Sequence, residues 1–361
     1  MKKILFFITL YIAFNSYLDA KPNEFTEVDN QIAGWVKDGY YPGAAVIIVR
    51  NNQPVFEKYY GDYHKQTKVH IASAGKWLAA AVFASLVDDG ILSWNDPVKK
   101  WLPQFKDIKG DATLRQLLSH TAGYPDYQPA NKTEDHYQTL AESVAHIEPL
   151  APDSIPGKTF NYGGLSMQVA GRIAEVATGK PWETIFQERI ASPLGMVNTS
   201  FTPVSEEQGF SPMLAGGAQT TLEDYRHFLQ MLSDNGKYNG KKILSSAAVA
   251  FMQSDQVHQA TIQKGEVNHY VQVMHGSDRN DIYGLGEWRE EVDPQGKLTL
   301  VSSPGWAGTY PWLDKKTGSY GLILAKVNIE KARTHNFNSF HAGPSLLPAI
   351  RNVLIKKKAI E

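Results

Sequence analysis

The chain has 361 residues and a mass of 40.2 kDa, enough for one large domain or two moderate ones with a sizeable buried core. Hydrophobic residues make up 42% and charged residues 20%, which excludes a disordered or fibrous chain. There are 36 Lys and Arg residues against 37 Asp and Glu, so the basic excess typical of nucleic-acid binding is missing. The chain has no cysteine, which excludes disulfides, thiolate metal sites and cysteine nucleophiles.

The first twenty residues have the pattern of a secretory signal. Lys2 and Lys3 precede an apolar run over residues 4–14, and Ala20 stands at a plausible cleavage point. The alternative is a membrane anchor, but the run is much shorter than the ~20 residues that a spanning helix needs. We predict cleavage after Ala20, no stable membrane span afterwards, and a protein that is periplasmic or secreted.

Strand and helix patterns follow in chain order. The predicted strands are residues 43–50, 55–60, 297–302, 309–313 and 320–327. The predicted helices are residues 76–87, 166–177 and about 345–355, with a further helix that begins after Thr221. Thr221 is placed to cap that helix, with Asp224 in the capping-box position.

Helical periodicity dominates between residues 96 and 210, and strands predominate on either side of it. We therefore expect an α/β (α+β) fold in which a mixed antiparallel sheet is flanked by helices. The sheet domain is predicted from residues 24–95 and 211–361, with an inserted helical domain over residues 96–210. A cleft between two such parts is a usual place for a functional site.

Ser73 and Lys76 form the only S-x-x-K sequence in the chain. They stand where the strand region meets the apolar helix, and positions i and i+3 of a helix share a face. A serine in a first helical turn lies beside free N–H groups that favour a developing oxyanion. An apolar environment lowers the pKa of an amine, so Lys76 is a candidate base and Ser73 a candidate nucleophile.

Several longer segments carry a family resemblance. They are residues 71–76, 86–92, 96–98, 102–103, 113–123, 193–196 and 240–245. On these segments the chain resembles the serine β-lactamase and penicillin-binding protein superfamily. It is most similar to the class C β-lactamases, DD-peptidases and esterases that share their fold. The resemblance covers nearly the whole chain after the signal and implies an acyl-serine mechanism with no metal or organic cofactor.

The resemblance also implies a second catalytic motif, Y-x-N, after a P-G-x-x-F sequence. Here residues 156–160 are such a sequence, and Tyr162 matches the family tyrosine, which implies a proton shuttle. Gly164 stands where the asparagine is expected. This departure removes a side-chain amide that would bind a substrate amide.

The resemblance further implies a third motif, K-T-G or H-x-G, on a strand facing the serine. The segment from Ser303 to Gly305, followed by Trp306, fits its place in the chain. Residues 316–318 have the sequence K-T-G, but their position between two predicted strands indicates a hairpin turn. With this assignment, Gly164, Ser303, Gly305 and Trp306 are the predicted substrate-binding residues, and the N–H groups of Ser73 and Trp306 the predicted oxyanion donors.

Other sequence features favour structural roles. Residues 233–235 spell S-D-N, which belongs to a class A β-lactamase pattern, but they lie in the wrong place and indicate a helix end. His120 is predicted to be a structural residue in a packed loop rather than a base. There is no G-x-S-x-G or H-E-x-x-H sequence, and the histidines show no metal-ligand spacing.

The sequence thus predicts an exported serine hydrolase of β-lactamase-related type that cleaves an ester or amide, most like an esterase. The expected substrate is a small ester, β-lactam or peptide, and no nucleic-acid partner is expected. The alternatives are a non-hydrolytic or slowly acylating protein that binds penicillin or peptidoglycan peptides, and a true β-lactamase or DD-peptidase. Gly164 and the altered third motif favour the binding protein, whereas Ser73, Lys76 and Tyr162 favour the enzyme.

Overall fold

A computed structural model of the protein describes residues 24–125, 139–201 and 212–358. The predicted signal at residues 1–20 lies outside these ranges. In the part of the chain that is described, no helix is both long and apolar enough to cross a lipid bilayer.

The described residues contain thirteen strands, most of them short. They are β1 (Gly43–Arg50), β2 (Gln53–Gly61), β3 (Val69–His70), β4 (Thr159–Phe160), β5 (Ser200–Phe201), β6 (Ala218–Thr220), β7 (Lys237–Tyr238), β8 (Lys241–Lys242), β9 (Thr261–Ile262), β10 (Trp288–Val292), β11 (Leu298–Ser302), β12 (Tyr310–Asp314) and β13 (Ser319–Ala325). Six of them form the central antiparallel sheet in the order β10-β11-β12-β13-β1-β2.

Fourteen α-helices surround this sheet in the described ranges. They are α1 (Thr26–Lys37), α2 (Gly75–Asp88), α3 (Val98–Trp101), α4 (Leu114–Leu118), α5 (Leu140–Ile147), α6 (Leu165–Thr178), α7 (Trp182–Phe186), α8 (Ser192–Leu194), α9 (Leu222–Ser233), α10 (Ser246–Met252), α11 (Tyr270–His275), α12 (Ile329–Thr334), α13 (Ser339–Ala342) and α14 (Leu347–Lys358).

Strand β1 shows why the sheet is covered on both faces. Successive side chains of a strand point to opposite faces. Ala44, Val46 and Ile48 pack into a core shared with α1 and α14, whereas the alternate residues of β1 pack into a core shared with α2 and α9. The strand is therefore a continuous apolar run rather than an alternating one, as in sheets buried on both faces.

Helix α2 is the part of the fold that positions the candidate site. It is buried from Gly75 through Leu86, so it runs through the interior instead of along the surface. The Tyr225 hydroxyl, from α9, donates to the main-chain oxygen of Ala74 at 2.8 Å. This bond ties the start of α2 to α9.

The predicted fold class, a mixed antiparallel sheet flanked by helices, is confirmed. Helix α1 and strand β10 were not among the predicted elements. Strand β10 has the sequence Trp-Arg-Glu-Glu-Val, and its three charged residues interrupt the apolar pattern that would predict a strand. Arg289 and Glu290 are nevertheless buried, because both have polar partners. The Arg289 guanidinium donates to the main-chain oxygen of Gln253, and the Tyr270 hydroxyl donates to the Glu290 carboxylate. The division at residues 95/96 and 210/211 stays a prediction.

Candidate active site

Ser73 lies in a single 3-10 turn, Ala72–Ala74, immediately before α2. Ala72 has a φ of 48°, in the left-handed region that costs a residue with a Cβ about 1–2 kcal/mol. This turn redirects the chain from β3 into the buried helix. Ser73 is 8% exposed, so the residue is nearly buried but still reaches solvent.

Lys76 points back to Ser73 as the i, i+3 spacing predicts. Its Nζ lies 3.0 Å from Ser73 Oγ and donates to the main-chain oxygen of Ala215 at 2.8 Å. The residue is 1% exposed, and within the described ranges it has no carboxylate partner. Burial disfavours the charged ammonium and lowers the pKa of Lys76 to about 7. A substantial fraction of this amine is neutral at neutral pH and able to accept a proton.

Tyr162 completes this cluster from the other side. The Lys76 Nζ lies 4.6 Å from the centroid of the Tyr162 ring. The ring stacks on Trp288 with centroids 5.2 Å apart, and the Tyr162 N–H donates to Asn268 Oδ1 at 2.8 Å. The structure thus brings together all three predicted catalytic residues, Ser73, Lys76 and Tyr162.

Gly164 lies two residues beyond Tyr162, at the N-cap of α6, and is buried. Because a glycine has no side chain, nothing at this position can present an amide to a substrate. The other predicted substrate-binding residues come from the loop after β11.

Ser303 contacts the nucleophile segment directly. Its hydroxyl is 3.3 Å from the main-chain oxygen of Ser73 and 3.0 Å from that of Gly286, so its proton is directed to the backbone. Gly305 lies so close to the chain entering the nucleophile turn that a Cβ would stand 2.3 Å from the Ile71 oxygen. The loop after β11 and the nucleophile turn are therefore packed against each other, with glycine required at 305.

Trp306 is the exposed member of this loop, with 52% of its surface accessible. It follows Gly305 in a turn closed by the bond from Gly308 N–H to Gly305 O, at 2.9 Å. Among the described residues, the Trp306 N–H has no hydrogen-bond partner. A free N–H beside the nucleophile turn is what an oxyanion donor requires.

The competing K-T-G sequence is not at this site. Residues 316–318 form the turn between β12 and β13, with Gly318 at a φ of 65°. The neighbouring amines are bound elsewhere: Lys315 Nζ donates to Gln253 Oε1 at 2.5 Å and Lys316 Nζ to Glu291 at 2.6 Å. The S-D-N sequence lies at the end of α9, where Asp234 accepts from Asn52.

A surface groove of about 510 Å³ begins at Trp306 and extends along α12 and the segment after it. Its wall is mostly apolar, with Val327, Phe337 and Phe340 among its residues. Arg333 also lines it and is exposed, and it forms no ion pair with any described residue. The groove thus adds one available cation to an apolar surface beside the site.

Sequence reasoning missed the supporting residues. The Ala215 oxygen and Asn268 contact Lys76 and Tyr162 from 139 and 106 residues away, and no motif marks either of them. Gly286 belongs to the short glycine tract at residues 284–286, which matches none of the motifs that the sequence carries. Its Cβ would stand 2.4 Å from the Lys76 oxygen, so the tract allows close packing against α2. No group of three His, Asp or Glu residues suited to a metal occurs in the described ranges.

Comparisons with known proteins identify the family of the chain. The family model described as Beta-lactamase matches residues 28–341. The chain therefore belongs to the β-lactamase family, a group of serine hydrolases with esterase, DD-peptidase and β-lactamase members.

Individual relatives cover most of the chain. The D-alanyl-D-alanine-carboxypeptidase/endopeptidase AmpH of Escherichia coli (strain K12) is 24% identical over 298 residues, which are 74% of this chain and 74% of that protein. The crystal structure of a candidate β-lactamase from Bacteroides dorei DSM 17855 is 48% identical, with a TM-score of 0.86 over 91% of this chain and 98% of that one. EstCE1, a hydrolase with promiscuous acyltransferase activity, shares the fold at 20% identity, with a TM-score of 0.69 over 88% of this chain and 98% of its own.

Proposed function

We propose that the chain hydrolyses an ester or amide through an acyl-serine intermediate, with Ser73 as nucleophile and Lys76 and Tyr162 as proton carriers. The observation that supports this most strongly is the 3.0 Å contact between Lys76 Nζ and Ser73 Oγ. An amine with a pKa of about 7 at hydrogen-bond distance from a hydroxyl is matched to general-base catalysis near neutral pH.

The proposed reaction has two balanced halves. As Ser73 Oγ forms a bond to the substrate carbonyl carbon, its proton moves to the Lys76 amine. The bond to the leaving group then breaks, and the leaving group takes that proton through Lys76 and Tyr162. In the second half, water gives a proton to Lys76 as its oxygen bonds to the acyl carbon. The bond from that carbon to Ser73 Oγ then breaks, Oγ takes the proton from Lys76, and the acid product leaves. The N–H groups of Ser73 and Trp306 stabilise the oxyanion in both halves.

We further propose that the preferred substrate is a neutral ester. The resemblance implies a third-motif lysine for a substrate carboxylate and an asparagine for a substrate amide, and Ser303 and Gly164 stand in those places. A hydrogen bond to a charged group contributes about 1.5–3 kcal/mol and a neutral one about 0.5–1.5 kcal/mol. The lack of both lowers kcat/KM roughly 30- to 2000-fold for a substrate that needs them.

A second candidate is hydrolysis of a peptide or lactam that carries a carboxylate. The specific observation in its favour is Arg333, a cation in the groove beside Trp306 that has no ion pair with any residue the structure describes. The name of the Escherichia coli relative points to D-alanyl peptides as such a substrate class.

The nucleophile is tested with a fluorophosphonate probe on the purified protein. Labelling should map to Ser73 and be absent in Ser73→Ala, because the probe reacts only with an activated hydroxyl. Labelling at Ser119, Ser166 or Ser303 would overturn the assignment. A stoichiometric burst of acylation without turnover would favour the penicillin- or peptide-binding alternative instead.

The substrate class is tested by comparing p-nitrophenyl butyrate with a chromogenic cephalosporin. We expect kcat/KM to be at least ~100-fold higher for the ester, within the range that the missing hydrogen bonds give. Equal or better cephalosporin turnover, lost in Arg333→Gln while ester turnover is kept, would establish the second candidate.

Export is also proposed. We expect the protein purified from its native host to begin near Lys21, because the first twenty residues have the signal pattern. Intact mass measurement distinguishes this from a chain that keeps Met1.

A further inference from the structure

His120 is a buried residue beside Tyr162 of the candidate site. It is 3% exposed and its backbone is left-handed, with a φ of 58°. The centroid of its imidazole lies 4.6 Å from that of the Tyr162 ring and 5.2 Å from that of Tyr283. A residue with a Cβ is strained at this φ, so the surrounding contacts hold His120 in place.

Two hydrogen bonds connect His120 to the segment that carries Tyr162. The Asn161 N–H donates to the main-chain oxygen of His120 at 2.9 Å. The Gly163 N–H donates to His120 Nδ1 over a longer distance, 3.4 Å. The two bonds lie on either side of Tyr162, so His120 spans the residue whose ring faces Lys76.

The second bond defines the state of the imidazole. Because Gly163 N–H is the donor, Nδ1 carries no proton and the neutral ring is protonated at Nε2. Nε2 is buried and has no hydrogen-bond partner in the described part of the chain. Burial, and then the nearby charge of Lys76, hold the pKa of His120 well below its ordinary value, which keeps Nδ1 available as an acceptor.

Asn268 fixes the same segment from the opposite direction. Its Oδ1 accepts the Tyr162 N–H at 2.8 Å, so three consecutive N–H groups, those of Asn161, Tyr162 and Gly163, are bound from outside the segment. His120 combines such a bond with direct contact to the Tyr162 ring.

We infer that His120 is a positioning residue for the reaction proposed above: it holds Tyr162 against Lys76 by accepting the Gly163 N–H at Nδ1. In this role His120 acts on the reaction through Tyr162 and transfers no proton. The inference rests on the proposed function, because positioning matters only if Tyr162 takes part in acylation.

Two substitutions separate the acceptor from the ring. His120→Asn keeps an acceptor close to the Nδ1 position and tolerates a left-handed backbone, but removes the ring. His120→Phe keeps a ring and removes the acceptor. Displacement of a catalytic group by a fraction of an ångström to 1 Å lowers kcat by about 10- to 100-fold. We expect that loss in His120→Phe with KM unchanged, and near-complete recovery in His120→Asn.

The reverse order, with Phe active and Asn inactive, would show that packing alone matters and would overturn the inference. Equal, near-wild-type activity in both variants would overturn it as well. His120→Gln, which places its amide beyond the Nδ1 position, replaces the Phe variant if that variant does not fold, and thermal unfolding of each variant monitors the fold.

A measurement on the unmodified protein makes the test independent of folding. Nitrogen-15 NMR of labelled histidine, with His120 assigned by its absence from the Asn variant, should show a neutral ring protonated at Nε2 across the working pH range. A proton on Nδ1 would overturn the inference. Fluorophosphonate labelling of Ser73 separates the two proposals: if wild type is not labelled, the proposed function fails, and if it is labelled but His120→Phe acylates normally, only the role of His120 fails.

Discussion

Two lysines are equally withdrawn from water in two regions of this protein, and they meet different partners. Lys76, at the start of α2, is 1% exposed, and Lys109, in the 3-10 turn Ile108–Asp111, is 0% exposed. Lys109 forms an ion pair with Asp107 and donates to the main-chain oxygen of Leu150 at 2.7 Å. In the described part of the chain, Lys76 donates to two uncharged oxygens, those of Ser73 and Ala215, and to no carboxylate.

The comparison separates the burial of a lysine from the loss of its counter-charge. A counter-charge stabilises the ammonium, whereas a neutral acceptor satisfies a hydrogen bond without compensating the charge. Among the residues that the structure describes, Lys109 has a carboxylate partner and Lys76 has none. Substitutions of the two lysines and of Asp107 test this comparison.

The largest effect is expected for Lys76→Met, which removes the amine and keeps a side chain of similar length. Acylation should slow by roughly 10²–10⁴-fold, because general acid–base steps are worth about that much. The matched variant Lys109→Met should acylate at nearly the wild-type rate. Stopped-flow measurement of p-nitrophenol release checks both. Comparable losses in the two variants would mean that the fold and not the amine is responsible.

The second effect concerns stability and pH. The folded pKa of Lys76 is about 7, below its ordinary value of 10.5, so between these values the unfolded chain binds a proton that the folded one does not. Wild-type stability therefore rises with pH in that window. The advantage of Lys76→Met over wild type should be full below pH ~7 and shrink by roughly 4 kcal/mol towards pH ~10.5.

Urea unfolding of both proteins at several pH values measures this difference in the free energy of unfolding. The contributions of titratable groups that the two proteins share cancel in the difference. A difference that does not change between neutral and alkaline pH would contradict a lowered pKa of Lys76 in the folded state.

The pH dependence of the reaction gives a smaller but direct signal. Because only the neutral amine accepts the serine proton, kcat/KM of the wild type should rise with pH and level off above about 7. Between pH 5 and pH 7 the increase should be about 50-fold. A profile that is flat down to pH 5 would assign the base to another group.

The smallest expected effect comes from Asp107→Asn, which turns the partner of Lys109 into a neutral one. Asn retains an oxygen to accept the Lys109 N–H, a bond of 2.9 Å in the wild type, so the turn is preserved. Stability at neutral pH should fall by about 1 kcal/mol, because the Lys109 ammonium loses its counter-charge while the solvent exposure of Asp107 keeps the loss small. Urea unfolding of both proteins at neutral pH tests this, and an unchanged stability would show that Asp107 does not stabilise the buried ammonium.

The sequence predicted the buried elements best. Strands β1, β12 and β13 and helices α2 and α6 begin and end within two residues of their predicted bounds, because burial on both faces produces long apolar runs. Strand β10 was missed because Arg289 and Glu290 are buried with polar partners from distant segments. Local periodicity cannot show such partners.

The same limit applies to the candidate site. The i, i+3 spacing predicted the contact between Ser73 and Lys76, and the family resemblance selected Tyr162 and the loop from Ser303 to Trp306. The Ala215 oxygen had no sequence signal, because a main-chain carbonyl belongs to every residue and only the fold selects one. Asn268 was missed because its partner, Tyr162, lies far away in the chain.

Trp306 gives the protein a natural optical reporter. All eight tryptophans lie in the described ranges, and Trp306 is the exposed one, whereas the others are buried or half-buried. A water-soluble quencher such as iodide will therefore reduce the emission of Trp306 before that of the rest. A substrate that occupies the groove beside Trp306 will shield it, so that filling of the site and release of product can be followed by intrinsic fluorescence without a chromogenic group.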